Sequence, residues 1–242
     1  GVKDLNEFEI AAFAYEANYI RTFVPSDDYV RTYTNQFSLS TQLQPARIWS
    51  NEKGFKKTLA KFSNVFSTRL DRKTTRDKGL DRLNPLETQL ADTSLLSLGS
   101  VLRNTFSFNR TNPNFGVEYT YQDLGNKTLL ANGFESRSDE YHEVRVRKKV
   151  VNGVTAIVIN QVGTKTASSD FLTWRNYSID YLSLEPKQQW QPSTSFRLTL
   201  KGRYESKLND GDFGGEKATI SDIGTELRFS DPGKGIFSLE FH

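Results

Sequence analysis

Cysteine and methionine are both missing from the 242 residues, and histidine occurs only twice, at His142 and His242. Without thiols the chain can form no disulfide, bind no metal through sulfur and use no thiolate nucleophile, and its redox compartment is left open. Two histidines so far apart in sequence supply almost no material for a zinc site or a histidine-based triad. Long hydrophobic runs are missing too, since no stretch approaches the roughly 18–20 apolar residues that a spanning helix needs. Charge of one sign is not in excess either, with 32 basic residues against 29 acidic ones and a net charge of +3. That balance argues against nucleic acid as a partner. Hydrophobic residues make up 36% of the chain. This is low for a soluble globular protein but enough for a membrane β-barrel, which needs apolar side chains only at every second position.

What is present is alternation. In Ser195–Leu208 the residues Phe196, Leu198, Leu200, Gly202, Tyr204 and Leu208 share one parity. Ser195, Arg197, Thr199, Lys201, Arg203, Glu205 and Lys207 share the other. Side chains alternate across a strand with period two, so the stretch reads as a β-strand with one apolar and one polar face. The same pattern predicts about ten strands: Tyr29–Leu43, Phe55–Leu70, Leu95–Asn109, Phe115–Gln122, Glu140–Val151, Val154–Thr166, Trp174–Trp190, Ser195–Leu208, Ala218–Phe229 and Ile236–Phe241. Asn152-Gly153, Thr111-Asn-Pro-Asn114, Gln191-Pro-Ser-Thr194 and Asp231-Pro-Gly-Lys234 supply tight turns between them. Asp71–Asp92 and Asp123–Ser138 read as long polar loops. The expected fold is therefore all-β, an antiparallel up-and-down meander of long strands with one short N-terminal helix.

Residues 1–25 are expected to form a separate segment, with the sheet over 26–242. Gly1-Val-Lys-Asp-Leu-Asn-Glu7 matches the second half of an EF-hand calcium loop. There Val2 would offer its carbonyl, Asp4 a side-chain oxygen and Glu7 a bidentate carboxylate to Ca2+. The alternative is an acidic turn leading into a helix. Glu7–Phe23 carries Phe8, Ala11, Ala12, Tyr15 and Tyr19 near helical spacing, and Pro25 ends it. The half-motif and the missing initiator make the chain read as an internal fragment.

From the third strand onward the connections are expected to run short, long, short, medium, short, long, short. In a meander alternate connections lie at one end, so the tight turns would gather at one end and the loops at the other. Outer-membrane barrels have that asymmetry. Trp174 and Trp190 bracket one strand, where the aromatic girdle of a barrel belongs. The basic residues Arg145, Arg147, Lys149, Arg197, Lys201 and Arg203 all fall opposite the apolar positions. In a barrel they would line the lumen and favour anions. The other reading is a solvated face balanced by Glu118, Glu143 and Glu205.

The half-loop Gly1–Glu7 running into FEIAAF, the stretch NRTNPNFGVEYTYQDLGNKTLLANGFESR (Asn109–Arg137) and RNYSIDYLSLEPK (Arg175–Lys187) resemble long, strand-rich outer-membrane proteins of Bacteroidota. The resemblance covers most of the chain and carries no catalytic motif. It implies the bacterial outer membrane as location, with membrane lipid and other outer-membrane or surface proteins as partners. The function expected is non-enzymatic: a structural or transport segment of a large barrel within a multi-protein assembly. The alternative is a soluble surface domain that binds glycan or protein through its long loops.

Overall fold

The computed structural model describes residues 16–19, 31–75, 94–231, 233 and 235–241. Gly1–Arg31 and Thr32–His242 form separate compact units. The calcium-loop residues Val2, Asp4 and Glu7 lie outside the described residues, as does most of the expected helix over Glu7–Phe23.

The second unit is one ten-stranded antiparallel sheet whose spatial order is its sequence order. Its strands are β1 (Tyr33–Leu43), β2 (Phe62–Thr74), β3 (Leu95–Phe108), β4 (Phe115–Leu130) and β5 (Gly133–Val151), followed by β6 (Val154–Ser169), β7 (Tyr177–Trp190), β8 (Phe196–Asn209), β9 (Lys217–Asp231) and β10 (Gly235–Phe241). The up-and-down meander expected from the alternation is what forms. β1 and β10 each pair on one side only, so the sheet is open.

Two departures from the sequence reading stand out. Phe55–Leu59 is not strand but a short helix, α2, which follows a first short helix, α1 (Ala46–Trp49). Pro45 caps α1 and Gly54, at φ 67°, precedes α2. Phe55, Leu59 and Ala60 recur at helical rather than alternate spacing, and period-two order begins only at Phe62.

The second departure is Asp123–Ser138, which is not a loop. β4 and β5 continue through it to Leu130 paired with Gly133. The turn is Ala131-Asn132, with Gly133 at φ 124°. Asn132-Gly133 was thus the hairpin signal inside a stretch whose two faces are both polar. With this correction the connections from β3 on run over 109–114, 131–132, 152–153, 170–176, 191–195, 210–216 and 232–234. The ends of the sheet now differ little in loop length, since the β4–β5 turn at the long-loop end has only two residues.

Neighbouring strands are staggered. The row Leu43, Asn64, Phe106, Tyr119, Val144, Asn160, Leu184, Tyr204, Ser221 runs straight across the pairings. It meets β1 at its last residue, so β1 lies wholly to one side, while most of β9 (Asp222–Asp231) lies on the other. A steady register shift of this kind is what a closed barrel requires, whereas this sheet is open.

Candidate functional site

The sheet is inside-out. Among the described residues only Leu70, Leu95 and Tyr181 are buried apolar side chains, whereas Ser107, Thr120, Ser183 and Glu205 are buried polar ones. Adjacent residues show the inversion most sharply. Glu205 is 5% exposed and Tyr204 is 44%, while Thr120 is 5% exposed and Tyr119 is 38%. Ser183 and Ser107 are likewise buried beside exposed Leu184 and Phe106. Because side chains alternate, each couple samples both faces at one point. From β3 to β8 the polar face is the crowded one and the apolar face is open, whereas on β2 Leu70 and Arg72 of the latter face are buried.

The open face carries a band of defined height. On β6 it runs from Val154 to Val162 and on β7 from Leu182 to Trp190, the same rows paired in register. Nine positions at about 3.3 Å each span about 30 Å of strand, or about 21–24 Å along the normal at a tilt of 35–45°. That is close to the apolar band of about 25 Å on outer-membrane barrels. β4–β7 are longer than such a crossing, and the surplus is mostly polar, with Leu129 and Leu130 exposed near the β4–β5 turn.

One margin of the band is formed by Tyr119, Tyr121 and His142. The Tyr119 hydroxyl lies 2.7 Å from His142 Nδ1, and Tyr121 donates to Glu140 at 3.0 Å. Beyond it stands an outward row of Asp123, Glu140, Thr164 and Asp180 on β4–β7. At the other margin Phe115, Trp190, Phe196, Phe229 and Phe237 mark the tight-turn end. Trp190 thus sits where a girdle residue belongs. Trp174 does not, because its single 3-10 turn at Thr173–Arg175 falls on the far side of the Asp180 row.

Two amide side chains inside the band, Asn64 and Asn160, find partners in the protein. Asn64 Nδ2 donates to Asn104 Oδ1 at 2.6 Å and to the Thr105 carbonyl at 3.3 Å. Asn160 Nδ2 donates to the Ser183 carbonyl at 3.4 Å. At the tight-turn end the connection over 44–61 exposes Ile48 and Phe55 beside Arg47, Lys53, Lys56 and Lys57. An apolar groove of about 800 Å³ opens there between Leu43, Ile48, Trp49, Leu59, Phe62 and Phe106.

All six basic residues picked out by alternation share the polar face, since the paired rows keep their parity from β5 to β8. They do not form a ring of bare charge. Arg203 lies 2.6 Å from Glu205 and 4.0 Å from Glu185, and Lys207 lies 3.0 Å from Glu205. Lys201 reaches Glu226 at 2.8 Å and Glu240 at 3.1 Å. Arg147 Nη2 donates to the carbonyls of Arg110 and Asn112, tying down the β3–β4 turn. Arg145 faces Glu118 across the β4–β5 pair. Lys149 follows at the last register position before the β5 bulge, and Arg197 is held by Gln191. The alternation did not single out Arg228, Glu226, Glu240 or Gln191. The parity of the first three was readable, but their partners follow from register.

Asp139 and Glu140 point to opposite faces, so they form no paired acid/base couple. His142 belongs to the outward aromatic margin. No family model matches the chain, and neither a curated protein nor a solved structure is significantly similar to it.

Proposed function

We propose that this chain is a wall segment of a large bacterial outer-membrane β-barrel, serving a structural or transport role without catalysis. One observation carries the reading: a continuous sheet whose apolar face is open and whose charged face is crowded and internally paired. In water each exposed Leu, Val or Phe of the band forgoes roughly 1 kcal/mol of burial. Against lipid the same face is the stable one, and the ladder meets the backbone polar groups except where Pro186 interrupts the β7–β8 pairing opposite Gly202. The satisfied Asn64–Asn104 couple, the aromatic margins and the band height support the same environment.

In this reading membrane lipid covers the apolar face and Arg145, Arg147, Lys149, Arg197, Lys201 and Arg203 line the lumen with their carboxylates. The mixed signs favour a hydrated, weakly selective wall over an anion filter. β1 and β10 need further strands, because an open edge is a template for pairing and a barrel removes it. Other outer-membrane or surface proteins are the partners proposed for the assembly. Binding of Ca2+ by Val2, Asp4 and Glu7 is a separate proposal, checked by calcium titration of wild type against Glu7→Gln.

Carbonate washing of membranes from cells exporting the chain tests the reading. The chain should stay with the membranes and require detergent. Recovery in carbonate or plain buffer would remove the membrane assignment and leave a soluble glycan- or protein-binding surface domain as the better account.

A further inference from the structure

The tight-turn end of the polar face carries two like charges in direct register. Arg197 on β8 and Arg228 on β9 stand directly opposite each other in register. Like charges so placed destabilise a pairing unless something lies between them. Neither guanidinium makes a contact ion pair among the described residues, and the charge of both reaches the Glu226 carboxylate only at longer range. Glu226, two positions from Arg228 on the same strand, is engaged by Lys201, as is Glu240 beyond it.

Among the described residues the only acceptor on Arg197 is neutral. Gln191 Oε1 takes Arg197 Nε at 3.3 Å and Nη2 at 3.2 Å, and is itself held by Gln189 Nε2 at 3.2 Å. This fixes the plane of the guanidinium without neutralising it. One row further out Ser195 and Ser230 are paired, the Ser230 amide donating to the Ser195 carbonyl at 2.7 Å. Gln191, Thr194, Ser195, Arg197, Arg228 and Ser230, with the apolar Phe196 among them, line a pocket of about 190 Å³. That is room for about six water molecules at about 30 Å³ each.

We propose that this pocket binds the phosphate group of an anionic solute between Arg197 and Arg228. Two forked guanidinium groups and three hydroxyls offer more donors than the two oxygens of a carboxylate can accept. The terminal oxygens of a phosphate monoester match them, and guanidinium forks suit that geometry. The site needs only the polar face and does not rest on the membrane reading.

The test is isothermal titration of the whole chain with inorganic phosphate at low ionic strength, in zwitterionic detergent or in buffer as extraction dictates. Saturable binding at one site is expected, with Arg197→Gln and Arg228→Gln each weakening it by about tenfold or more. Arg137→Gln, on the same face at the far end and opposite Asn126, should leave it unchanged. Arg228→Lys should recover only part of the loss, because an ammonium cannot fork. Arg228 is exposed, so its variants should keep the far-UV circular dichroism of the parent. Displacement of bound phosphate by soluble glycerol phosphate assigns a free solute, and displacement only by phosphatidic acid in micelles assigns a lipid headgroup. In either case the phosphate site stands. No saturable heat, or equal binding by parent, Arg197→Gln and Arg228→Gln, would overturn it.

Discussion

Leu200 and Lys201 are neighbours in sequence and belong to different solvents in this account. Leu200 is exposed on the open face, and Lys201 bridges Glu226 and Glu240 on the crowded one. Arginine at the midplane of a lipid face costs about 2–4 kcal/mol. Loss of a half-exposed ion pair costs about 0.2–1 kcal/mol. Leu200→Arg should therefore abolish most folding into lipid vesicles, while Lys201→Gln should lower the urea midpoint only slightly. Asp123 makes a second residue-scale case, beyond the apolar run of β4. Burial, and then the Glu140 carboxylate opposite, push its carboxyl above the usual carboxylate range. A raised folded-state pKa means the folded chain keeps its proton longer than the unfolded chain. The stability is present below the ordinary pKa and is lost as pH rises through the folded value. Asp123→Asn should flatten that fall as pH rises above the ordinary carboxylate pKa of about 4, read from urea unfolding at each pH.

At the scale of elements, β5–β7 are locked by a glycine between two tyrosines. Gly163 lies between Tyr141 and Tyr181 in one row of the polar face. Tyr181 is buried and donates to Asp139 at 3.1 Å, with Lys165 over its ring at 5.0 Å. A Cβ at Gly163 would meet the Glu140 carbonyl, Tyr141 Cβ and Tyr181 Cζ, the last at 2.9 Å. Gly163→Ala should cost roughly 1–3 kcal/mol by overpacking. Gly99→Ala is the control, because its nearest atom lies at 3.9 Å. Legibility in the sequence followed the same physics. β8 and the Asn152-Gly153 hairpin were plain, because strict alternation and a turn glycine at φ 78° are local signals. The β4–β5 extension was hidden, because Asp123–Ser138 is polar on both faces and has no alternation to read. α2 was mistaken for strand because five residues are too few for its period to show. Ion pairs such as Lys201–Glu240 and the Arg197–Arg228 juxtaposition needed a register across strands, and only parity is written in one strand.

For the whole sheet, the sidedness matters more than the loops. Loop lengths were the stronger sequence argument for a barrel, and the two-residue β4–β5 turn at the long-loop end weakened it. The inverted faces and the steady stagger replaced it, and neither depends on any one connection. Register makes the claim brittle in a useful way, since a one-residue slip would exchange the two faces of a strand. The absence of cysteine allows a direct reading, because every introduced thiol is the only one in the chain. Single cysteines at Leu198, Thr199, Leu200, Lys201, Arg203 and Tyr204, each labelled with a fluorophore in lipid vesicles, measure the environment position by position. Leu198, Leu200 and Tyr204 should be quenched by spin-labelled lipid and shielded from aqueous iodide, with Thr199, Lys201 and Arg203 showing the reverse. Uniform quenching, or the opposite alternation, would contradict the two-faced wall.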